Sequence, residues 1–137
     1  MKRRAATGIA IVIALATVCA RAEAAGMLSS ESSKQPVVLV HGYFGSIAGQ
    51  TSVELYWSFI STRLKLDGFD VYKIALPDGA MEDIPRSAAV LRDYIDATLA
   101  RTGKSKVDLV THSEGGLISR YFIKHLGGAG KVDDLVT

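Results

Sequence analysis

The sequence predicts an α/β fold in which helices cover both faces of a mostly parallel sheet. Short runs of continuous aliphatic residues indicate strands that are buried on both faces, as in parallel sheets. Between these runs, apolar residues recur at helical spacing, and glycines follow them where the helices should end. The two patterns alternate from residue 36 to residue 137, so we expect a chain of βαβ units.

Four apolar runs are the predicted strands. They cover residues 37–40, 69–76, 107–110 and 132–137. The first run follows Pro36 and leads into a glycine-rich loop, and the second stops at a Pro-Asp-Gly turn. The connections between the runs are long enough to hold helices, as parallel strands require.

Three helices are predicted in these connections. The first covers about residues 52–66, and its apolar positions are Val53, Tyr56, Trp57, Ile60 and Leu64. The second begins near Asp83 and Pro85, because proline fits the first turn of a helix. It ends at Gly103, and its apolar stripe is Ala88, Leu91, Ile95 and Leu99. The third covers about residues 114–126 and stops at two glycines.

The N-terminal segment has the anatomy of a secretory signal peptide. Three basic residues precede an apolar run over residues 5–20, and two A-x-A cleavage sites end at Ala22 and Ala24. A membrane-spanning anchor is the alternative, but the run is shorter than the roughly 20 apolar residues that a bilayer requires. We therefore expect a signal peptide at 1–24, a flexible serine-rich leader at 25–35, a folded domain at 36–137, and a secreted protein.

Processing changes both the charge and the cysteine content. The whole chain has 16 basic and 14 acidic residues, and cleavage after Ala24 would leave 12 basic and 13 acidic residues, a net charge of −1. The basicity thus belongs mostly to the signal peptide, and no nucleic-acid partner is predicted. The single cysteine, Cys19, lies in the same segment, so no disulfide is expected. No residues have metal-ligand spacing, and neither a metal nor a cofactor is predicted.

The run Thr111-His112-Ser113-Glu114-Gly115 follows a predicted strand and opens a predicted helix. A sharp turn between a strand and a helix is the context in which a nucleophilic serine is held above a parallel sheet. The alternative is an ordinary serine that caps a helix. A nucleophile also needs donors for the developing oxyanion, and the Glu114 amide lies in the first helical turn, where N–H groups are unpaired. The Tyr43 amide, in the loop after the first strand, is the candidate for the second donor.

These paired motifs resemble the α/β-hydrolase fold and, within it, the small bacterial secreted lipases. The segment 36–42 resembles their oxyanion strand and loop, and the segment 106–116 resembles their nucleophile strand and turn. The resemblance covers essentially all of residues 36–137. It implies that Ser113 is the nucleophile, that the amides of Tyr43 and Glu114 form the oxyanion hole, and that an esterase or lipase acts through an acyl-enzyme.

Two departures from the family pattern stand out. Thr111 occupies a position where the common motif has glycine, and we expect a local adjustment that keeps the turn. In the family, an acid and then a histidine base follow the nucleophile, but His125, the only later histidine, lies about 18 Å along the same helix at roughly 1.5 Å per residue. His41 and His112 fit a role in organising the oxyanion loop better than that of a base. We therefore expect a fragment that ends in the strand after the nucleophile helix and is inactive alone.

The predicted function of the parent protein is hydrolysis of carboxylic esters, with triacylglycerols as the leading substrate. Short soluble esters, a polyester, or a non-catalytic binding role on the same fold are the alternatives. Phe44 is a candidate substrate-binding residue near the mouth of the site, because lipid substrates need apolar walls. Tyr56 and Trp57 fit helix–sheet packing better than a pocket wall. Transient contact with a lipid–water interface is expected, and the sequence does not determine the oligomeric state.

Overall fold

The computed structural model describes residues 34–137 apart from the Asp78 side chain. The predicted signal peptide at 1–24 and most of the predicted leader at 25–35 lie outside the described residues. The described part contains four strands: β1 (Val37–Val40), β2 (Val71–Ile74), β3 (Val107–Thr111) and β4 (Val132–Val136). They form one parallel sheet in the order β2-β1-β3-β4. The predicted fold class is confirmed.

Strand β1 is the centre of this arrangement, because it pairs with β2 on one side and with β3 on the other. Val38 is in register with Tyr72 of β2 and with Leu109 of β3. All four β1 residues are buried. Beyond the strand ends, the His112 amide donates to the Val40 carbonyl at 3.0 Å. The segments that leave β1 and β3 therefore begin side by side at one edge of the sheet.

Within the described residues, four α-helices cover the two faces of the sheet: α1 (Gln50–Tyr56), α2 (Ser58–Leu66), α3 (Ile84–Thr102) and α4 (Glu114–His125). Alternate residues of β1 face opposite ways, as the pleat requires. Val38 and Val40 belong to a large apolar cluster with residues of α3 and α4, whereas Val37 and Leu39 pack with residues of α1 and with Trp57. Within residues 34–137, no helix combines the length and apolarity needed to cross a membrane.

Two predicted elements differ from the structure. The single helix predicted at 52–66 is wrong, because α1 and α2 are separate helices that join at Trp57. Trp57 is only 3% exposed and packs against the sheet, while Tyr56 at the end of α1 remains 40% exposed. Strand β2 is shorter than the predicted 69–76, because its partner β1 has only four residues with which it can pair.

Helix α4 approaches the end of β1 very closely at Gly115. A methyl group on Gly115 would lie 2.8 Å from the carbonyl oxygen of His41 and closer still to that of Val40. Neither of these atoms belongs to a flexible side chain, so neither could move aside without shifting the backbone. Glycine is therefore required here for the distance between helix and strand, and not for an unusual φ angle.

We predict that Gly115→Ala destabilises the complete gene product by about 1–3 kcal/mol or more, because the added methyl group pushes α4 away from β1. Gly130→Ala is the matched control, since a methyl group there would meet nothing within 4 Å. Urea denaturation of the two variants and the wild type measures the difference. Equal loss of stability in both variants would contradict the packing argument.

Candidate active site

Ser113 lies at the junction of β3 and α4 with a strained backbone. Its φ of 55° and ψ of −127° place a non-glycine residue at positive φ, a conformation that costs of order 1–3 kcal/mol and clusters at functional sites. The side chain is exposed and makes no capping hydrogen bond to α4. The interpretation of Ser113 as an ordinary helix cap therefore lacks the bond on which it depends. A strained, exposed residue between a strand and a helix is the geometry that a nucleophile turn requires.

Thr111 is held in this turn by a hydrogen bond to the neighbouring strand β4. Its buried hydroxyl donates to the Val136 carbonyl at 3.1 Å. A methyl group on Gly116 would lie in ordinary van der Waals contact with the same hydroxyl oxygen, at 3.4 Å, so Thr111 does not depend on the glycine for its space. The strained turn at Ser113 is kept, as the sequence predicts.

The loop after β1 lies directly against the nucleophile turn. A Cβ atom on Gly42 would be 2.8 Å from the Ser113 Cβ and 3.2 Å from the Glu114 amide nitrogen. The backbone that carries the Tyr43 amide is therefore adjacent to the Glu114 amide. Among residues 34–137, the structure gives neither of these two N–H groups a hydrogen-bond acceptor. Two unpaired N–H groups beside a serine are the donors that an oxyanion requires.

His41 fixes the conformation of this loop through two hydrogen bonds. Its imidazole is completely buried, Nε2 accepts a hydrogen bond from the Leu76 amide at 3.0 Å, and Nδ1 lies 2.8 Å from the Gly42 carbonyl oxygen. Nε2 must be unprotonated to accept, so Nδ1 carries the proton and donates to Gly42. In a trans peptide the N–H points opposite to the C=O. By holding the Gly42 carbonyl, His41 therefore directs the Tyr43 N–H away from itself.

Further bonds attach the loop to the chain that follows β2. The Ser46 hydroxyl donates to the Leu76 carbonyl at 2.5 Å, and the Phe44 amide donates to the Gly79 carbonyl at 2.8 Å. Phe44 itself has a positive φ of 62°. These bonds place the Tyr43 and Phe44 side chains at the surface, where they are 55% and 61% exposed. The predicted substrate-binding residue Phe44 is thus part of an exposed apolar rim.

The other candidate groups are not assembled into a triad with Ser113. Within the described chain, the hydrogen bonds of the histidine rings go to Gly42, Leu76 and Tyr56, and none goes to the Ser113 hydroxyl. His112 is bonded through Nδ1 to the Tyr56 hydroxyl, and His125, at the end of α4, lies 4.6 Å from the Tyr121 ring. Across residues 34–137 no three His, Cys, Asp or Glu side chains are grouped so that they could hold a metal ion.

Sequence reasoning did not identify the contact between Tyr56 and His112. Tyr56 was expected to pack between helix and sheet, whereas the structure places its hydroxyl on the residue that precedes Ser113. The two residues are 56 positions apart, so no local pattern connects them. The predicted helix at 52–66 places Tyr56 in its interior, so the sequence carried no signal for this contact.

Comparison with known proteins identifies the family of the chain. Residues 34–137 match the family described as Lipase (class 2). The chain belongs to the class 2 lipase family. It is 38% identical over 91 residues to a triacylglycerol lipase of Pseudarthrobacter phenanthrenivorans and, over the same length, to one of Burkholderia plantarii. These alignments cover 66% of the chain but only 28% and 25% of the two relatives, so the chain spans about a quarter of their length.

Solved structures agree with this membership of the class 2 lipase family. A Bacillus licheniformis lipase in its propeptide form superposes with a TM-score of 0.64 at 26% identity, over 74% of this chain and 21% of that one. Aspergillus fumigatus lipase B superposes with a TM-score of 0.62 at 25% identity, over 77% of this chain and 24% of that one. The four-stranded parallel sheet and its helices therefore correspond to part of a lipase fold.

The buried imidazole predicts a specific pH dependence of stability. Burial lowers the pKa of His41, against the opposing effect of its hydrogen bond to Gly42. In the unfolded chain the pKa returns to about 6.5, so the unfolded state binds the proton first as the pH falls. The contribution of His41 to stability is therefore complete above about pH 6.5 and is lost as the pH falls below that value.

We predict that His41→Gln flattens this dependence, because glutamine does not titrate. The free energy of unfolding, measured by urea denaturation between about pH 7.5 and pH 5, should fall more steeply in the wild type than in the variant. His125→Gln, which removes an exposed imidazole at the end of α4, is the matched control. Parallel curves for the wild type and His41→Gln would refute the prediction.

Proposed function

We propose that the complete gene product is a secreted serine hydrolase that cleaves carboxylic esters, with triacylglycerols as the leading substrate. The observation that carries this proposal is the backbone of Ser113, which is strained, exposed and uncapped at the junction of β3 and α4. Membership of the class 2 lipase family supports the same activity. The matched relatives from Pseudarthrobacter and Burkholderia are triacylglycerol lipases by name.

The proposed reaction has two steps. The Ser113 hydroxyl oxygen attacks the ester carbonyl carbon and gives its proton to a base, and the tetrahedral intermediate places its negative oxygen near the amides of Tyr43 and Glu114. When the intermediate collapses, the bond to the alcohol oxygen breaks and the alcohol leaves with the proton from the base. The acyl group remains on Ser113 as the acyl-enzyme. Water then attacks the acyl carbon, releases the carboxylic acid and restores the Ser113 hydroxyl.

We also propose that the base and its acidic partner lie outside residues 34–137. His41 has both ring nitrogens engaged with backbone groups, which leaves it no capacity to take a proton from Ser113. Asp133, one of the two acids near the end of the chain, has another partner in its 2.8 Å ion pair with Lys106. On this proposal the chain is a piece of a longer lipase, and residues 1–137 alone turn over no ester.

The surface around the site supports an apolar substrate. The exposed rim residues Tyr43 and Phe44 lie 6.3 Å apart between ring centroids, and Ile47 in the same loop is 65% exposed. Exposed apolar side chains that are grouped at a site favour contact with a lipid–water interface. Secretion, directed by residues 1–24, would bring the enzyme to such extracellular lipids. Neither a cofactor nor a nucleic acid is part of the proposal.

We predict that Ser113→Ala abolishes ester hydrolysis by the complete gene product and prevents its labelling by a fluorophosphonate probe, because the attacking oxygen is lost. Ser105→Ala, at an exposed serine before β3, is the matched control and should retain full activity and labelling. A folded wild-type protein that resists the probe would support the binding-protein alternative. Faster turnover of short soluble esters than of emulsified triacylglycerols would assign an esterase instead of a lipase.

A further inference from the structure

Tyr56 contacts both histidines next to the candidate active site. Its hydroxyl is hydrogen-bonded to Nδ1 of His112, the residue before Ser113. Its ring meets the His112 ring at a centroid distance of 5.8 Å and the buried His41 ring edge-on at 6.3 Å. Contacts of this edge-to-face kind between aromatic rings are attractive and directional.

The two histidines belong to the two halves of the site. His112 lies between the end of β3 and Ser113, and its amide donates to the Val40 carbonyl. His41 sets the Gly42–Tyr43 peptide through its 2.8 Å contact with the Gly42 carbonyl. Tyr56 therefore connects the segment that carries the nucleophile with the segment that carries one proposed oxyanion donor.

Tyr56 is itself held firmly at its helical end. It is the last residue of α1, and its ring packs edge-on against that of Trp57 at 5.1 Å. Trp57 is buried in the cluster with Val37 and Leu39. The Tyr56 ring is thus anchored to a buried side chain while its hydroxyl reaches His112, although the Tyr56 side chain is partly exposed to solvent.

We propose that Tyr56 is a positioning residue that aligns the Ser113 turn with the oxyanion loop through His112 and His41. This inference rests on the proposed function, and it assigns to Tyr56 a role in catalysis without contact to the substrate. A displacement of less than an ångström between nucleophile and oxyanion donors lowers the rate of the chemical step. The hydrogen bond to His112 restrains that displacement.

The test is Tyr56→Phe in the complete gene product, which removes only the hydroxyl and leaves the ring contacts. We expect kcat for a p-nitrophenyl ester to fall about five- to tenfold, the size of one lost hydrogen bond, while KM stays unchanged. Tyr94→Phe is the matched control, since the Tyr94 hydroxyl donates to the Lys73 carbonyl at 3.0 Å, on α3 away from the turn. It should lower stability to a similar extent without changing kcat.

Variants at His112 separate a positioning role from general packing. His112→Asn keeps a group that can hydrogen-bond to Tyr56 near the Nδ1 position and should retain most of kcat, whereas His112→Ala should lose as much as Tyr56→Phe. The double variant Tyr56→Phe with His112→Ala should be no slower than either single variant, because both remove the same bond. Additive losses, or a Tyr56→Phe enzyme with the kcat of the wild type, would overturn the proposal.

Failure of the proposed function is distinguishable from failure of this inference. A wild-type protein without Ser113-dependent hydrolysis would refute the function alone. Hydrogen exchange measured on the segment 110–118 then decides the inference without any catalysis. Faster exchange there in Tyr56→Phe than in Tyr94→Phe supports the alignment by Tyr56, and equal exchange in the two variants refutes it.

Discussion

The close contact between helix α4 and the end of strand β1 is the constraint on which the rest of the site depends. Two glycines allow this contact. Gly115 has no room for a methyl group beside the carbonyl oxygens of Val40 and His41, and Gly42 has no room for one beside Ser113. Because the backbones meet there, the strained turn at Ser113 is supported from two sides. The strain of the turn, of order 1–3 kcal/mol, is offset by the packing that surrounds it.

A buried imidazole extends this constraint to the oxyanion loop. His41 is placed by the end of β1, and it bonds to Leu76 after β2 and to Gly42 in its own loop. A single neutral side chain thus connects two strand ends with the peptide that carries the Tyr43 amide. Buried polar groups of this kind are costly unless they are fully bonded. The requirement for bonding explains why this histidine fixes the Gly42–Tyr43 peptide, while Ser46 and Phe44 attach the rest of the loop.

Much of this organisation was predictable from local sequence patterns. The continuous aliphatic run at 37–40, the apolar stripe of α3 that ends at Gly103, and the strand-to-helix turn at Ser113 all lie where the sequence predicts them. The division of the first helix at Trp57 was not predictable. Its apolar spacing continues through the break, and the burial of the indole against Val37 and Leu39 depends on the sheet.

The sequence by itself determined the class of fold, the family resemblance and the position of the candidate nucleophile, because each depends on residues that are close together in the chain. Only the tertiary structure decided which side chains surround that nucleophile. The contacts of His41 with Leu76 and of Tyr56 with His112 join residues 35 and 56 positions apart. They arise because the order β2-β1-β3 brings the carboxyl ends of separate strands to one edge of the sheet, a relation that no local periodicity encodes.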